Sequence, residues 1–250
     1  MKNPNVTIKS WMITFLTVIA LHSIISINNY NFLIQLVAVP IFAALIDMSI
    51  TYIKERKTLI PNSAIISGLL IASILPLAPI YVLFVTALIA ILSKYIIKFG
   101  KRHIFNPAAF GIIIGGILLG FSASWWSAIS ILVVPFGLFI IYKQRKWLLA
   151  FSFLAPYFLL IILSNLSSPN TISLLDTTAI FFAFFMLIEP MTSAYTKKAM
   201  IGEGIIVAVL VALFRIFLPE IDLFLTSLLI ANIFVAILNN WHRKKHQSAS

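Results

Sequence analysis

No cysteine occurs in the 250-residue chain. Its absence removes disulfides, thiolate nucleophiles, iron–sulfur ligation and thiolate-bound zinc. Any redox chemistry must then come from a bound organic cofactor. Charge is scarce too: 10% of residues are charged, with only 7 acidic against 18 basic, well below the share in an ordinary soluble globule. His22, His242 and His246 have no metal-ligand spacing, so no metal centre is expected. No nucleophile–base constellation stands out either, and no catalytic residue is assigned.

What fills the chain instead is apolar sequence, 61% hydrophobic residues with a mean hydropathy of +1.07. Such a chain is an all-α integral membrane protein, placed in the cell (cytoplasmic) membrane. At roughly 20 residues per span, it holds at most about ten helices and no sizeable soluble domain. The formal charge of +11 does not point to nucleic acid, because the Lys and Arg residues lie between apolar runs rather than on a soluble face.

Cutting at polar and proline clusters gives ten apolar segments: 11–27, 31–53, 62–76, 79–98, 107–122, 125–142, 147–164, 172–189, 201–218 and 222–240. Lys2 and Lys9 before the first segment resemble a signal peptide, but Ser26-Ile27-Asn28-Asn29-Tyr30 offers no small-x-small cleavage site, so it is read as a retained span. The segments at 62–76 and 107–122 are short enough for broken helices. Cytoplasmic loops collect Lys and Arg. With the N-terminus inside, every basic residue but Arg215 falls on the inner side. Ten spans with both termini cytoplasmic follow.

Segments one to five overlay six to ten with an offset of about 114 residues. Pro76 falls on Pro190, Pro40 within two residues of Pro156, and Asn106 on Glu220. Five is odd, so the halves, about 1–122 and 123–250 of a single polytopic domain, are inserted upside down relative to each other. Inverted repeats place sites near their interface, where helices break.

Two polar phrases interrupt this apolar background: Arg102-His103-Ile104-Phe105-Asn106-Pro107-Ala108-Ala109 and Ile188-Glu189-Pro190-Met191-Thr192-Ser193. A polar group without a partner in hydrocarbon costs about 2 to 7 kcal/mol, so both phrases need a reason. Asn is a good N-cap and Pro suits the first helical position. The first phrase therefore reads as a cytoplasmic helix start, whose free N–H groups and dipole suit a phosphate or a reduced flavin ring, with Lys101, Arg102 and His103 adjacent. The bland alternative is that Asn106 caps a helix and the basic residues anchor it. Glu189 suits a cation or proton path, with Thr192 and Ser193 as hydroxyl donors; the bland alternative pairs it with Lys197 or Lys198. Asp47 lies deepest among the other acids and is a second carboxylate for an ion path. Asp176 and Glu203 read as first-turn acids of their helices. The run Phe181, Phe182, Phe184 and Phe185 reads as packing first and as a ring-stacking surface second.

Pro61-Asn62-Ser63-Ala64-Ile65-Ile66-Ser67-Gly68-Leu69-Leu70 through Leu75-Pro76, His103 to Ala108, Phe184 to Ser193, and Leu229-Ile230-Ala231-Asn232 together resemble one family in order and spacing. It comprises the membrane proteins NqrB, of the sodium-translocating NADH:quinone reductase, and RnfD, of the Rnf electron-transport complex, and the similarity runs from about residue 40 onward. The resemblance implies a ten-helix inverted-repeat fold related to urea and ammonium channels. It further implies a flavin cofactor, partner membrane and redox subunits, and electron transfer coupled to Na⁺ or H⁺ movement. By carry-over, His103, Asn106, Pro107, Thr192 and Ser193 would lie at a non-covalent riboflavin or FMN, and Glu189 and Asp47 on the ion path. Members also bear a covalent FMN on the Thr of a Ser-Gly-Ala-Thr type sequence in an outer loop. Here that loop is Ser122-Ala123-Ser124-Trp125-Trp126 and the tetrapeptide does not occur, so this chain resembles a short form without the covalent station. Three readings stay open at this point: an electron-transport subunit, a channel or transporter for a small solute such as flavin, and a scaffolding subunit.

Overall fold

The structure, a computed structural model, describes residues 7–56, 60–100, 102–167 and 176–247. Helices α1 (Ile8–Ile27), α2 (Phe32–Glu55), α3 (Asn62–Ile74) and α4 (Ile80–Ile96) precede a two-stranded hairpin, β1 (Lys98–Phe99) and β2 (Arg102–His103). Then come α5 (Pro107–Leu119), α6 (Val133–Gln144), α7 (Trp147–Ser167), α8 (Thr177–Phe181), α9 (Lys197–Phe217) and α10 (Leu223–Gln247). Among the described residues, α1, α2 and α9 are long and apolar enough to cross a membrane, and the apolar stretches of the other helices, such as Trp147–Leu163 in α7 and Leu223–Ile237 in α10, are shorter. Outward-facing positions are apolar: Ile25, Ile34, Ile53, Ile96, Ile117 and Ile131 are 67% to 75% exposed. Water would not tolerate so many exposed isoleucines, whereas hydrocarbon does. This is a multi-pass, all-α membrane protein.

Local chemistry explains where the helices differ from the apolar segments. The segment at 125–142 does not start as a helix. Trp125 adopts a left-handed conformation (φ 52°), a single 3₁₀ turn spans Trp126–Ile129, Ser130 is extended, and α6 begins only at Val133. In the segment at 172–189, positions up to 175 lie outside the described residues. From Asp176, whose carboxylate accepts the Ala179 N–H at 3.1 Å, one short α-helix leads into a π turn at Phe182–Met186. The expected breaks are present, with α3 and α5 each 13 residues long.

The chain forms two compact units, one made of Met1–Ile96 with Pro107–Phe136 and the other of Ile97–Asn106 with Gly137–Ser250. In the first, α2 packs on α3 and α4, α4 on α5, and α1 on α3. Ala43, Ala64 and Ile91 are fully buried at its centre, beneath Ile46, Ile50 and Tyr95. Helix α3 approaches the Pro40 turn of α2 so closely that a Cβ on Gly68 would lie 2.5 Å from Pro40 Cα. Pro76 ends α3: proline has no N–H and cannot bond the carbonyl four residues back. That carbonyl, on Ala72, instead accepts Gln35 Nε2 and Trp126 Nε1, both at 2.8 Å. The Ser124 and Trp125 N–H groups reach Ile74 O at 2.8 and 3.0 Å. The short 122–126 connection therefore serves as the lid of α3.

In the second unit, α7 packs on α9 and on the π turn, and α9 packs on α10. Phe153, Phe182 and Phe224 form a buried ring cluster with centroids 5.3 to 6.4 Å apart, a spacing typical of favourable tilted aromatic pairs.

Candidate functional site

Both polar phrases lie in the second unit, apart from Pro107 and the residues after it, which open α5 in the first. The hairpin brings His103 into place. Gly100 takes a positive φ of 66° at the turn, a conformation that glycine adopts without steric cost. Lys98 then pairs with His103, and the Ile104 N–H reaches Ile97 O at 3.1 Å. His103 is buried, and its Nε2 lies 3.3 Å from Glu189 Oε1. Thr192 Oγ1 donates to the other carboxylate oxygen, Glu189 Oε2, at 3.3 Å. Glu189 therefore pairs with His103, not with Lys197 or Lys198, and both of its oxygens are engaged.

The same proline logic recurs here. Pro190 deprives Met186 O of the donor that an unbroken helix would supply. The Glu189 N–H reaches that carbonyl across a tighter turn at 3.3 Å, and Asn106 Nδ2 adds a second donor at 3.3 Å. Asn106 is buried and fixed from the other side, since its backbone N–H donates to Asn232 Oδ1 at 2.9 Å. Asn106 thus stands immediately before α5, as its residue type suggests, and its side chain also serves the broken eighth segment.

After Pro190 the chain folds back in a tight turn. The Thr192 and Ser193 N–H groups donate to Glu189 O at 3.2 and 3.0 Å, and Ser193 Oγ donates to the same carbonyl at 2.7 Å. From the hairpin, Arg102 Nη1 donates to Pro190 O at 3.3 Å, and its guanidinium lies 4.4 Å over the Tyr195 ring, a cation–π distance.

Two further charged groups hold this turn, and sequence patterning missed their role. Lys146, between α6 and α7, is only 7% exposed although it belongs to a basic triplet. Its Nζ donates to Ser193 Oγ at 2.9 Å and to Ala194 O. Burial pulls the Lys146 ammonium down to about 8, opposed by the attraction of Glu203 and assisted by the repulsion of Arg102. Glu203, 2% exposed on α9, accepts the Ala194 N–H at 2.8 Å through Oε2. It is not a first-turn acid of α9, whose first turn holds none. An acid inside an apolar segment was the only available signal, and Lys146 gave none.

Asp47 and Asp176 take part in other contacts. In the first unit, Asp47 Oδ1 accepts from Lys94 Nζ at 2.8 Å and from the Tyr95 hydroxyl at 2.7 Å. In the second, the Tyr157 hydroxyl donates to Asp176 Oδ2 at 2.5 Å and accepts from Arg215 Nη2 at 3.1 Å. Phe181, Phe182, Phe184 and Phe185 are all buried, in keeping with a packing role. Among the described residues, no group of three or more His, Cys, Asp or Glu side chains could hold a metal ion.

The second unit thus concentrates a carboxylate–imidazole pair, hydroxyl donors and two amide side chains around one proline-broken helix. The chain has known relatives. The chain is similar to the D subunit of the ion-translocating oxidoreductase complex of Actinobacillus pleuropneumoniae serotype 5b, 29% identical over 137 residues, covering 52% of this chain and 39% of that protein. It is likewise similar to the proteins of the same name from Klebsiella pneumoniae, at 28% over 139 residues, and Escherichia coli, at 29% over 139 residues, each match covering 53% of this chain and 39% of the relative. The match thus spans well under half the length of these curated relatives. A family model described as the NQR2, RnfD, RnfE family covers residues 112–248, more than half of the chain and nearly all of the second unit's helices. The chain belongs to the NQR2, RnfD, RnfE family.

Proposed function

We propose that this chain is a membrane subunit of a flavin-dependent, Rnf- or Nqr-like electron-transport complex that couples electron transfer to ion movement. Its partners are the other membrane and redox subunits of that complex. The observation that carries this reading is the meeting of His103, Asn106, Glu189, Thr192 and Ser193 at one helix break. The relatives' name, which places them in an ion-translocating oxidoreductase complex, points the same way.

The donor set fits a flavin. Asn232 Nδ2 is a buried amide donor with no hydrogen-bond partner among the described residues, and an orphaned donor of this kind asks for an acceptor. Asn232 would donate to a non-covalent riboflavin or FMN held beside Asn106 and His103; the Thr192 and Ser193 hydroxyls, whose protons go to Glu189, would serve it only as acceptors, and Pro107 fixes the backbone direction after Asn106. A bound flavin supplies one- and two-electron redox chemistry. The protein's part is electrostatic. Glu189 with His103 holds or passes a proton or a cation at the break, and Asp47 with Lys94 and Tyr95 forms a second charged station.

The topology belongs to the same proposal: ten spans as two inverted five-helix repeats, halves about 1–122 and 123–250, both termini cytoplasmic, in the cell membrane. Supporting it, Pro76 and Pro190 occupy matching positions, and each leaves a carbonyl four residues back that a side-chain amide satisfies. Purification followed by flavin fluorescence tests the assignment. A wild-type preparation that carries no flavin and binds none on addition would refute it, and so would undiminished flavin binding in Asn232→Asp.

A further inference from the structure

Helix α9 begins at Thr196, whose hydroxyl accepts the Ala199 N–H at 3.3 Å. The next two residues, Lys197 and Lys198, are exposed at the mouth of a groove of about 480 Å³ between α9 and α10. Its walls are apolar and open to lipid, with Ile206 39% and Phe234 52% exposed and Val235 buried beside them. Glu203 also lines the groove. Its Oε2 is satisfied by Ala194, whereas its Oε1 is buried with no hydrogen-bond partner among the described residues. Gly202 is the remaining feature: a Cβ there would meet nothing within 4 Å.

An occupant must satisfy three conditions. It needs an anionic group for the two lysines and the free N–H groups of the first turn of α9. It needs a hydrogen-bond donor for Glu203 Oε1, because a buried acceptor left unpaired is costly. It also needs an apolar chain to cover Ile206, Phe234 and Val235. We infer that this groove binds an anionic phospholipid with a hydroxyl-bearing headgroup, of the phosphatidylglycerol class. The phosphate meets Lys197 and Lys198, a headgroup hydroxyl donates to Glu203, and an acyl chain lies along the α9–α10 walls. A zwitterionic ethanolamine headgroup brings an ammonium that the two lysines repel, and a choline headgroup has no donor at all. The site depends only on the protein lying in a bilayer and is independent of the redox reading.

The experiment uses the full chain in phosphatidylcholine nanodiscs doped with competing lipids, and reads retained lipid by native mass spectrometry after detergent release. Phosphatidylglycerol should be retained over phosphatidylcholine and phosphatidylethanolamine. It should also exceed phosphatidylmethanol, which has the same charge and no hydroxyl. The double change Lys197→Ala with Lys198→Ala should lower retention by about thirtyfold, as two interfacial charges imply. Gly202→Leu should block the groove while improving helix propensity, which separates lost binding from lost folding. Equal retention of all four lipids, unchanged retention in Gly202→Leu, or displacement by soluble glycerol phosphate would each overturn the inference.

Discussion

Removing the Asn106 side chain provides a direct test of the broken-helix site. Its Nδ2 donates to Met186 O, and that carbonyl lacks its helical donor because residue 190 is proline. In Asn106→Ala the buried carbonyl keeps only the Glu189 N–H, at 3.3 Å. The cost should be about 1 to 2 kcal/mol, between the roughly 0.6 kcal/mol average for membrane interhelical hydrogen bonds and the upper range for an orphaned buried group. Pro190→Ala restores an N–H at position 190 and lets Met186 O close an ordinary helical bond. In that background, Asn106→Ala should cost about 0.5 kcal/mol or less, so the double-mutant cycle should show coupling of about 1 kcal/mol. Reversible unfolding in mixed detergent micelles, followed by circular dichroism, measures all four corners of the cycle. Strict additivity would refute the claim that Asn106 is there to satisfy the carbonyl that Pro190 strands. The matching carbonyl in the first unit gives a graded control. Ala72 O has two side-chain donors, Gln35 and Trp126, so Gln35→Leu should cost less at that carbonyl than Asn106→Ala does at Met186 O.

Glu189→Gln should leave the fold intact while abolishing ion movement by the assembled complex in proteoliposomes, because the amide keeps the hydrogen-bonding shape and loses the charge; undiminished flux would count against Glu189 as the ion-handling group. Lys146 gives a pH signature. Its ammonium sits at about 8 against an ordinary 10.5, so the cost of the buried charge is fully present below pH 8. That cost disappears as pH rises toward 10.5, about 3 kcal/mol in all. Stability should therefore rise across this window in the wild type and stay flatter in Lys146→Met, and parallel pH–stability curves would contradict the assignment. Gly204→Ala should destabilise by about 1 to 3 kcal/mol, because the new Cβ would lie 2.8 Å from backbone atoms of Ser152 and Phe153 on α7; unfolding midpoints of the two proteins decide it.

Much of this architecture can be read from the apolar runs and their interruptions. Segment ends at 27, 53 and 218 fall within two residues of the observed ends of α1, α2 and α9, because a span stops where hydropathy stops. The polar phrases were legible for a related reason, since an Asn-Pro or Glu-Pro inside apolar sequence demands a partner. The partners themselves were not legible. That Glu189 meets His103 rather than Lys197 depends on a hairpin only two residues deep on each strand, too short for a periodicity to reveal. Lys146 looked like one more interfacial cation, and only tertiary packing buries it against Ser193 and Ala194. The late start of α6 was hidden as well, because Trp125 carries a left-handed backbone that its residue type does not advertise.

The contacts around residues 186–194 also impose an order on biosynthesis. Arg102, His103, Asn106 and Lys146, the residues that reach into the Glu-Pro-Met-Thr-Ser turn, are all made before it. When the ribosome delivers the Met186 carbonyl and the Glu189 carboxylate, these partners have already been synthesised. Only Glu203 and Asn232 arrive later, and they bind backbone N–H groups already in place. Insertion thus deposits this turn after its partners have been made, Glu203 excepted. A chain rearranged to make residues 177–194 first would expose them bare, and insertion rather than final stability would be the step that fails.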